Sequence, residues 1–158
     1  MQPFDWNTFL RSRVYDVSPQ VPEDGITRGG YRIVFNDDVP DWVKRNDSRG
    51  AAFPRSLGFA INEEGNIGQV IWDSPAFKSG ITPGMHLEAV NDQKYSATGL
   101  REAIVTAEKN TTPVKLLLKN GDAYITVSLD YHDGLRIAHL QRVDSVPDRL
   151  DAILAPSK

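Results

Sequence analysis

Four pieces of the chain decide its fold: Arg55-Ser-Leu-Gly-Phe-Ala-Ile61, Asn66-Ile-Gly-Gln-Val-Ile-Trp72, Asp73-Ser-Pro-Ala-Phe-Lys-Ser-Gly-Ile-Thr-Pro-Gly84 and Met85-His-Leu-Glu-Ala-Val-Asn91. The first opens on a short glycine-containing loop, Ser56 to Phe59, that runs straight into an apolar segment. The third is punctuated. Pro75 has no amide proton and a fixed φ, so it suits the first turn of a short helix. Ser74 is placed to cap that helix, and Ala76 and Phe77 begin its apolar face. Gly80 follows where a left-handed C-terminal residue is wanted. Gly84 then turns the chain into a strand from Leu87 to Val90. The pattern therefore predicts a strand over 57–61, a hairpin turn at Glu63-Glu64-Gly65-Asn66, a returning strand over 67–72, a helix over 75–79 and a strand over 86–90.

Working outward, Asn91-Asp92 is a tight turn, and Asp tolerates positive φ better than most residues. Ser96 precedes a helix through Lys109, with Leu100, Ala103, Ile104 and Ala107 on one face. Asn110-Thr-Thr-Pro113 breaks it. Val114 to Lys119, Asn120-Gly121 and Ala123 to Leu129 read as a hairpin with a type I′ turn. In its second strand Ile125, Val127 and Leu129 alternate with Tyr124, Thr126 and Ser128, which predicts one buried face.

Toward the start, Trp6, Phe9, Leu10, Arg13, Val14 and Val17 have helical spacing over 4–17, with Asp5 as cap and Pro19 and Pro22 as terminators. Gly25 to Gly30 is a turn, and Tyr31 to Phe35 alternates like a strand. Asn36 to Arg55 is polar, with Trp42, Val43 and Phe53 as its bulky anchors; it reads as a loop with one helical turn. At the other end Val146 to Pro156 is a short helix, with Leu150, Ile153 and Leu154 on one side.

The ordered pattern Ser-Pro-Ala, Ser-Gly-Ile, Pro-Gly and Val-Asn resembles a PDZ domain, of the bacterial kind attached to proteases. Asp92 stands where that family has Gly. The resemblance extends to the flanks: Trp6-x-x-Phe-Leu10, Gly29-Gly-Tyr-Arg32, Tyr131-His-x-Gly-Leu-Arg136 with His139-Leu-x-Arg142, and Pro147-Asp-x-Leu-x-x-Ile-Leu-x-Pro156. Over nearly the whole chain this is similar to the C-terminal part of the glycyl aminopeptidase family of zinc metallopeptidases. Asp133 stands where that family often has a second Gly, and Ile137-Ala138 where it often has Tyr-Pro. The resemblance implies an α+β fold: a PDZ-like, partly open barrel or sandwich of five to six strands with two helices, plus helical flanks. It divides the chain into an N-terminal flank over 1–50, a PDZ domain over 51–130 and a C-terminal tail over 131–158 that packs on the core.

The chain has 158 residues, enough for one domain with a core of its own. A net charge of −3 without a basic block argues against nucleic acid as a partner. There is no cysteine, so disulfide and thiolate chemistry are excluded. No apolar run reaches membrane-spanning length, and the N-terminal residues do not form a secretory signal. The family's catalysis rests on a His-Glu-x-x-His helix that binds zinc, and nothing in this chain matches it. His86, His132 and His139 have neither the spacing nor the paired ligands of such a site. The chain is therefore expected to be non-catalytic and free of cofactor, the zinc belonging to a parent peptidase domain. The compartment is left between periplasm and cytoplasm, with the periplasm favoured.

What a PDZ fold implies is peptide binding by strand addition. Carried onto this sequence, the amides of Ser56, Leu57, Gly58 and Phe59 form a loop for a terminal carboxylate. The strand continues through Ile61, and Thr98, Leu100 and Ile104 line the helix side of the pocket. Since Thr98 and Leu100 stand where a Ser/Thr-selective domain has His, that selectivity is not expected. Partners are then a peptide or protein C-terminus. The alternative is a docking element whose groove is filled by its own chain and which packs on the peptidase domain.

Overall fold

The computed structural model describes residues 4–17, 23–46 and 50–156. Among them are six helices and nine strands, arranged as an α+β fold of open sheets without a closed barrel. Two compact units are distinct: residues 34–139, and residues 1–33 with 140–158.

The 34–139 unit holds two antiparallel sheets. β2 (Ala51–Ala52), β3 (Phe59–Ile61) and β4 (Ile67–Val70) form one, in that order. β5 (His86–Val90), β6 (Gln93–Lys94), β7 (Val114–Asn120) and β8 (Ala123–Leu129) form the other, in the order β6-β5-β7-β8. Three helices complete it: α3 (Asp41–Asn46), α4 (Pro75–Lys78) and α5 (Ala97–Asn110). The capping chemistry read from the sequence is present. The Ser74 hydroxyl accepts the Phe77 amide at 3.2 Å, and the Ser96 hydroxyl accepts the Gly99 amide at 3.0 Å. Asn91 and Asp92 both take positive φ, 47° and 64°. Leu100, Ala103, Ile104 and Ala107 form the buried face of α5, joined by Arg101. Full burial of Leu100 and Ile104 contributes roughly 1.5–3 kcal/mol each. Every buried large hydrophobic residue of the described chain lies between Ala51 and Leu135.

In the other unit, α1 (Trp6–Tyr15) is capped by Asp5, whose carboxylate accepts the Thr8 amide at 3.0 Å. α2 (Asp24–Arg28) precedes β1 (Tyr31–Asn36), which pairs with β9 (Ile137–Arg142). The division between the units falls inside both strands. α6 (Arg149–Leu154) is capped by Asp148, which accepts the Asp151 amide at 2.9 Å.

Several expectations are corrected. The segment read as a turn at 25–30 is mostly helix: the Glu23 carbonyl accepts the Ile26 and Thr27 amides, and the Gly25 carbonyl accepts the Gly29 amide. The Pro19 and Pro22 terminators lie outside the described residues. The hairpin turn is Gly121-Asp122, not Asn120-Gly121: Asn120 pairs with Ala123. Positive φ is confined to Gly121, which matches a type II′ turn. The expected buried face of β8 is mostly uncovered: only Leu129 is buried and Val127 half-buried, while Ile125 is exposed. Val39 packs on the core of the 34–139 unit, and Tyr131 and Leu135 are buried in it. Neither α1 nor α6 buries a residue.

Candidate functional site

The site expected from the sequence is the groove between β3 and α5, and the structure fills it from within. β3 is paired on both sides, with β4 on one and β2 on the other. Ala51 stands opposite Ile61, and Ala52 opposite Ala60. The Phe53 N–H donates to the Phe59 carbonyl at 2.8 Å, continuing the ladder by one residue. The Phe53 carbonyl then accepts the Ser56 amide at 3.2 Å and the Gly58 amide at 2.7 Å. Two amides of the loop thus converge on one oxygen, as an anion-binding nest does, but that oxygen belongs to the preceding strand. The Phe53 ring is 2% exposed. It lies 5.9 Å from the Phe59 ring, and the Arg101 guanidinium of α5 sits 5.8 Å from its centroid.

The loop is also held from outside. The Leu57 carbonyl accepts the Ala76 amide at 2.9 Å, and the Gly58 carbonyl accepts the Ile71 amide at 2.8 Å. The buried Ser56 hydroxyl accepts the Arg136 amide at 3.0 Å. Tyr131 donates its hydroxyl to the Gly134 carbonyl at 2.9 Å, and burial raises its pKa. Gly58 has φ +87°, and a Cβ there would stand 2.0 Å from the Ser74 Cβ. A side chain at Gly58 therefore strikes the capping serine of α4 before it affects any ligand.

Of the residues assigned to peptide binding, Ser56, Leu57, Gly58, Phe59, Ile61, Leu100 and Ile104 are all buried around this groove. Thr98 is exposed. It borders a separate cavity of about 580 Å³ along α5, whose wall carries both charge signs, Asp37 and Glu102 against Lys44 and Arg101. The sequence reading missed Ala51 and Phe53 as strand and filler. The signal was a small apolar pair and an aromatic residue directly before a proline, inside a segment otherwise polar.

The three histidines make local bonds. The His132 Nδ1 lies 2.9 Å from the Ala107 carbonyl and its Nε2 2.8 Å from Asp130. Both partners are acceptors, so only the doubly protonated ring satisfies both, and the Ala107 carbonyl and then Asp130 raise its pKa. His139 Nε2 donates to the Asp38 carbonyl at 2.9 Å, and His86 Nδ1 lies 3.1 Å from the Asn66 amide oxygen. Among the described residues no group of three His, Cys, Asp or Glu side chains is placed to hold a metal ion. None of their helices is long and apolar enough to cross a membrane.

No protein-family model matches the sequence, and no curated protein does. Among solved structures, the chain is similar to an aminopeptidase N family protein from Idiomarina loihiensis. That likeness has a TM-score of 0.58 at 14% identity and covers 97% of this chain but 26% of that one. At this identity it shows the fold alone. A second match is the HtrA3 PDZ domain bound to a phage-derived ligand, FGRWV. Its TM-score is 0.35 at 18% identity, and it covers 70% of this chain and 85% of that one.

Proposed function

We propose that this chain is a non-catalytic, PDZ-type module of a zinc-dependent aminopeptidase of the glycyl aminopeptidase kind, and that it packs on the peptidase domain with its peptide groove occupied from within. The observation that carries this reading is the Phe53 carbonyl, which takes the Ser56 and Gly58 amides that a ligand carboxylate would need. The long match to part of an aminopeptidase N family protein supports the setting. The sequence motifs of the flanks support the narrower family. Zinc and the general base then belong to the peptidase domain, and this chain supplies shape and contact.

The test is a titration of the full chain with the free-acid peptide Gly-Ala-Ala-Phe, followed by amide chemical shifts. The groove is expected to stay closed, with no saturable shift at residues 56–61 up to millimolar peptide. Saturable shifts there, lost when the peptide is amidated, would show that β2 gives way to a ligand. The chain would then be a peptide-recruiting module.

A further inference from the structure

By filling the edge of β3, β2 becomes the edge of its sheet. Phe53 directs its N–H and carbonyl inward, to Phe59, Ser56 and Gly58. Alternation along an antiparallel strand then turns the N–H and carbonyl of Ala52 outward, and Ala52 is exposed. Alongside this edge lies a cavity of about 320 Å³, large enough for a ligand side chain and its neighbours. Its walls include Trp42, Val43 and Ile137 together with Arg55, Arg101 and Arg136, and no Asp or Glu. Trp42 is 59% exposed. The Arg55 and Arg136 guanidiniums are both anchored on the Phe35 ring, at 5.5 and 5.6 Å from its centroid. Neither has a carboxylate partner among the described residues. Both cations thus stand in the wall of this cavity without an acidic counter-charge there, and an anionic ligand would supply one.

We infer that the outer edge of β2 and this arginine-rimmed cavity form a docking site for an extended acidic segment of a partner protein. Its backbone would pair at Ala52, its carboxylates would meet Arg55 and Arg136, and an adjacent apolar side chain would rest on Trp42 and Val43. Charge complementarity selects this occupant: apolar walls favour a bulky side chain, and an all-cationic rim favours acids beside it. The larger cavity along α5 has both signs of charge and makes no such selection.

The probe is the hexapeptide acetyl-Gly-Glu-Phe-Glu-Val-Gly-amide, blocked at both ends so that no terminal carboxylate is present, titrated into the full chain at low salt. Saturable shifts are expected at the Trp42 indole and at the amides of residues 50–53, 55 and 135–138, with residues 56–61 of the inner groove unmoved. Replacing both Glu by Gln in the peptide is expected to weaken binding about tenfold, the scale of one charge-assisted hydrogen bond. Arg55→Gln and Arg136→Gln should each weaken it several-fold while leaving the thermal midpoint unchanged, since both side chains are exposed. No saturable shift at millimolar peptide, equal binding of the Gln peptide, or shifts centred elsewhere would overturn the inference. So would concentration-dependent self-association abolished by Arg136→Gln, which would give the edge to a second copy of the chain. Because the probe carries no terminal carboxylate, these outcomes are independent of whether the inner groove opens.

Discussion

The two units of this molecule are held by different forces. Residues 34–139 enclose the buried hydrophobic cluster, from Ala51 to Leu135, with Leu57, Leu100, Ile104, Val114, Leu116, Leu118 and Leu129 fully inaccessible. The unit of 1–33 with 140–158 buries no large side chain among its described residues, and polar bonds organise it instead. Asp24 joins Arg13 to Arg28. Arg142 donates to the Gly30 carbonyl at 2.6 Å and the Val146 carbonyl at 2.5 Å, and also reaches the Val143 carbonyl. The Tyr31 hydroxyl donates to Asp148 at 2.9 Å. The lesson is that good helix periodicity does not imply a core: α1 and α5 share capping and spacing, yet α5 buries five residues and α1 none. Exposed charge pairs contribute about 0–1 kcal/mol each, so the terminal unit should be the weaker of the two.

Four perturbations would break or sharpen this contrast, beginning with the largest. Phe53→Ala empties the centre of the filled groove and is expected to cost about 3–5 kcal/mol in denaturant unfolding of the 34–139 unit. A cost below about 1 kcal/mol would mean that the ring is not part of that core. Gly58→Ala adds a Cβ against Ser74 and at positive φ. The backbone costs about 1–2 kcal/mol and overpacking about 1–3 kcal/mol, read from the same unfolding curve. The third perturbation is pH, which should act on the two units in opposite senses. His132 has its pKa raised by the Ala107 carbonyl and Asp130. Its contribution is therefore complete below about pH 6.5, the unfolded value, and is lost as pH rises through the higher folded value. Asp24 is lowered by Arg13, Asp148 by the Asp151 amide and Asp5 by Thr8. Their contribution is complete above the unfolded carboxylate value and is lost as pH falls through the lower folded values. Residue-resolved amide protection should thus fall near α5 on going alkaline and in the terminal unit on going acidic, and His132→Gln should remove the first effect alone. The smallest change is expected from Trp6→Ala. Trp6 is 63% exposed and, among the described residues, its aromatic contacts are the edge-on rings of Phe4 and Phe9, so less than about 1.5 kcal/mol is at stake.

Much of the central unit was legible in the sequence because local chemistry and packing agree there. Ser74-Pro75 caps a helix, Asn91-Asp92 makes a left-handed turn, and the four apolar positions of α5 lie on its buried face. Leu57, Phe59, Ile61, Leu100 and Ile104 belong to one buried cluster, as apolar residues on a strand and a helix face would. The short strand beside β3 was not legible. Ala51-Ala52 is too short to show alternation, and a two-residue strand is specified by its partner β3 more than by its own side chains. The exposure of β8 escaped for a related reason: Ile125 and Val127 alternate as a half-buried strand would, but nothing local says whether another layer covers them. The same limit applies to α1, where Trp6, Leu10 and Val14 give the helix without giving its cover.

Hydrogen exchange at three backbone amides tests the filled groove most directly. In the ligand-free chain at neutral pH, the amides of Phe53, Ser56 and Gly58 should be protected to the level of Phe59 to Ile61, because each is bonded within the β2–β3 hairpin. If these three exchange at the rate of an unstructured peptide while β3 and β4 stay protected, β2 does not occupy the edge of β3. The groove would then be open to a ligand.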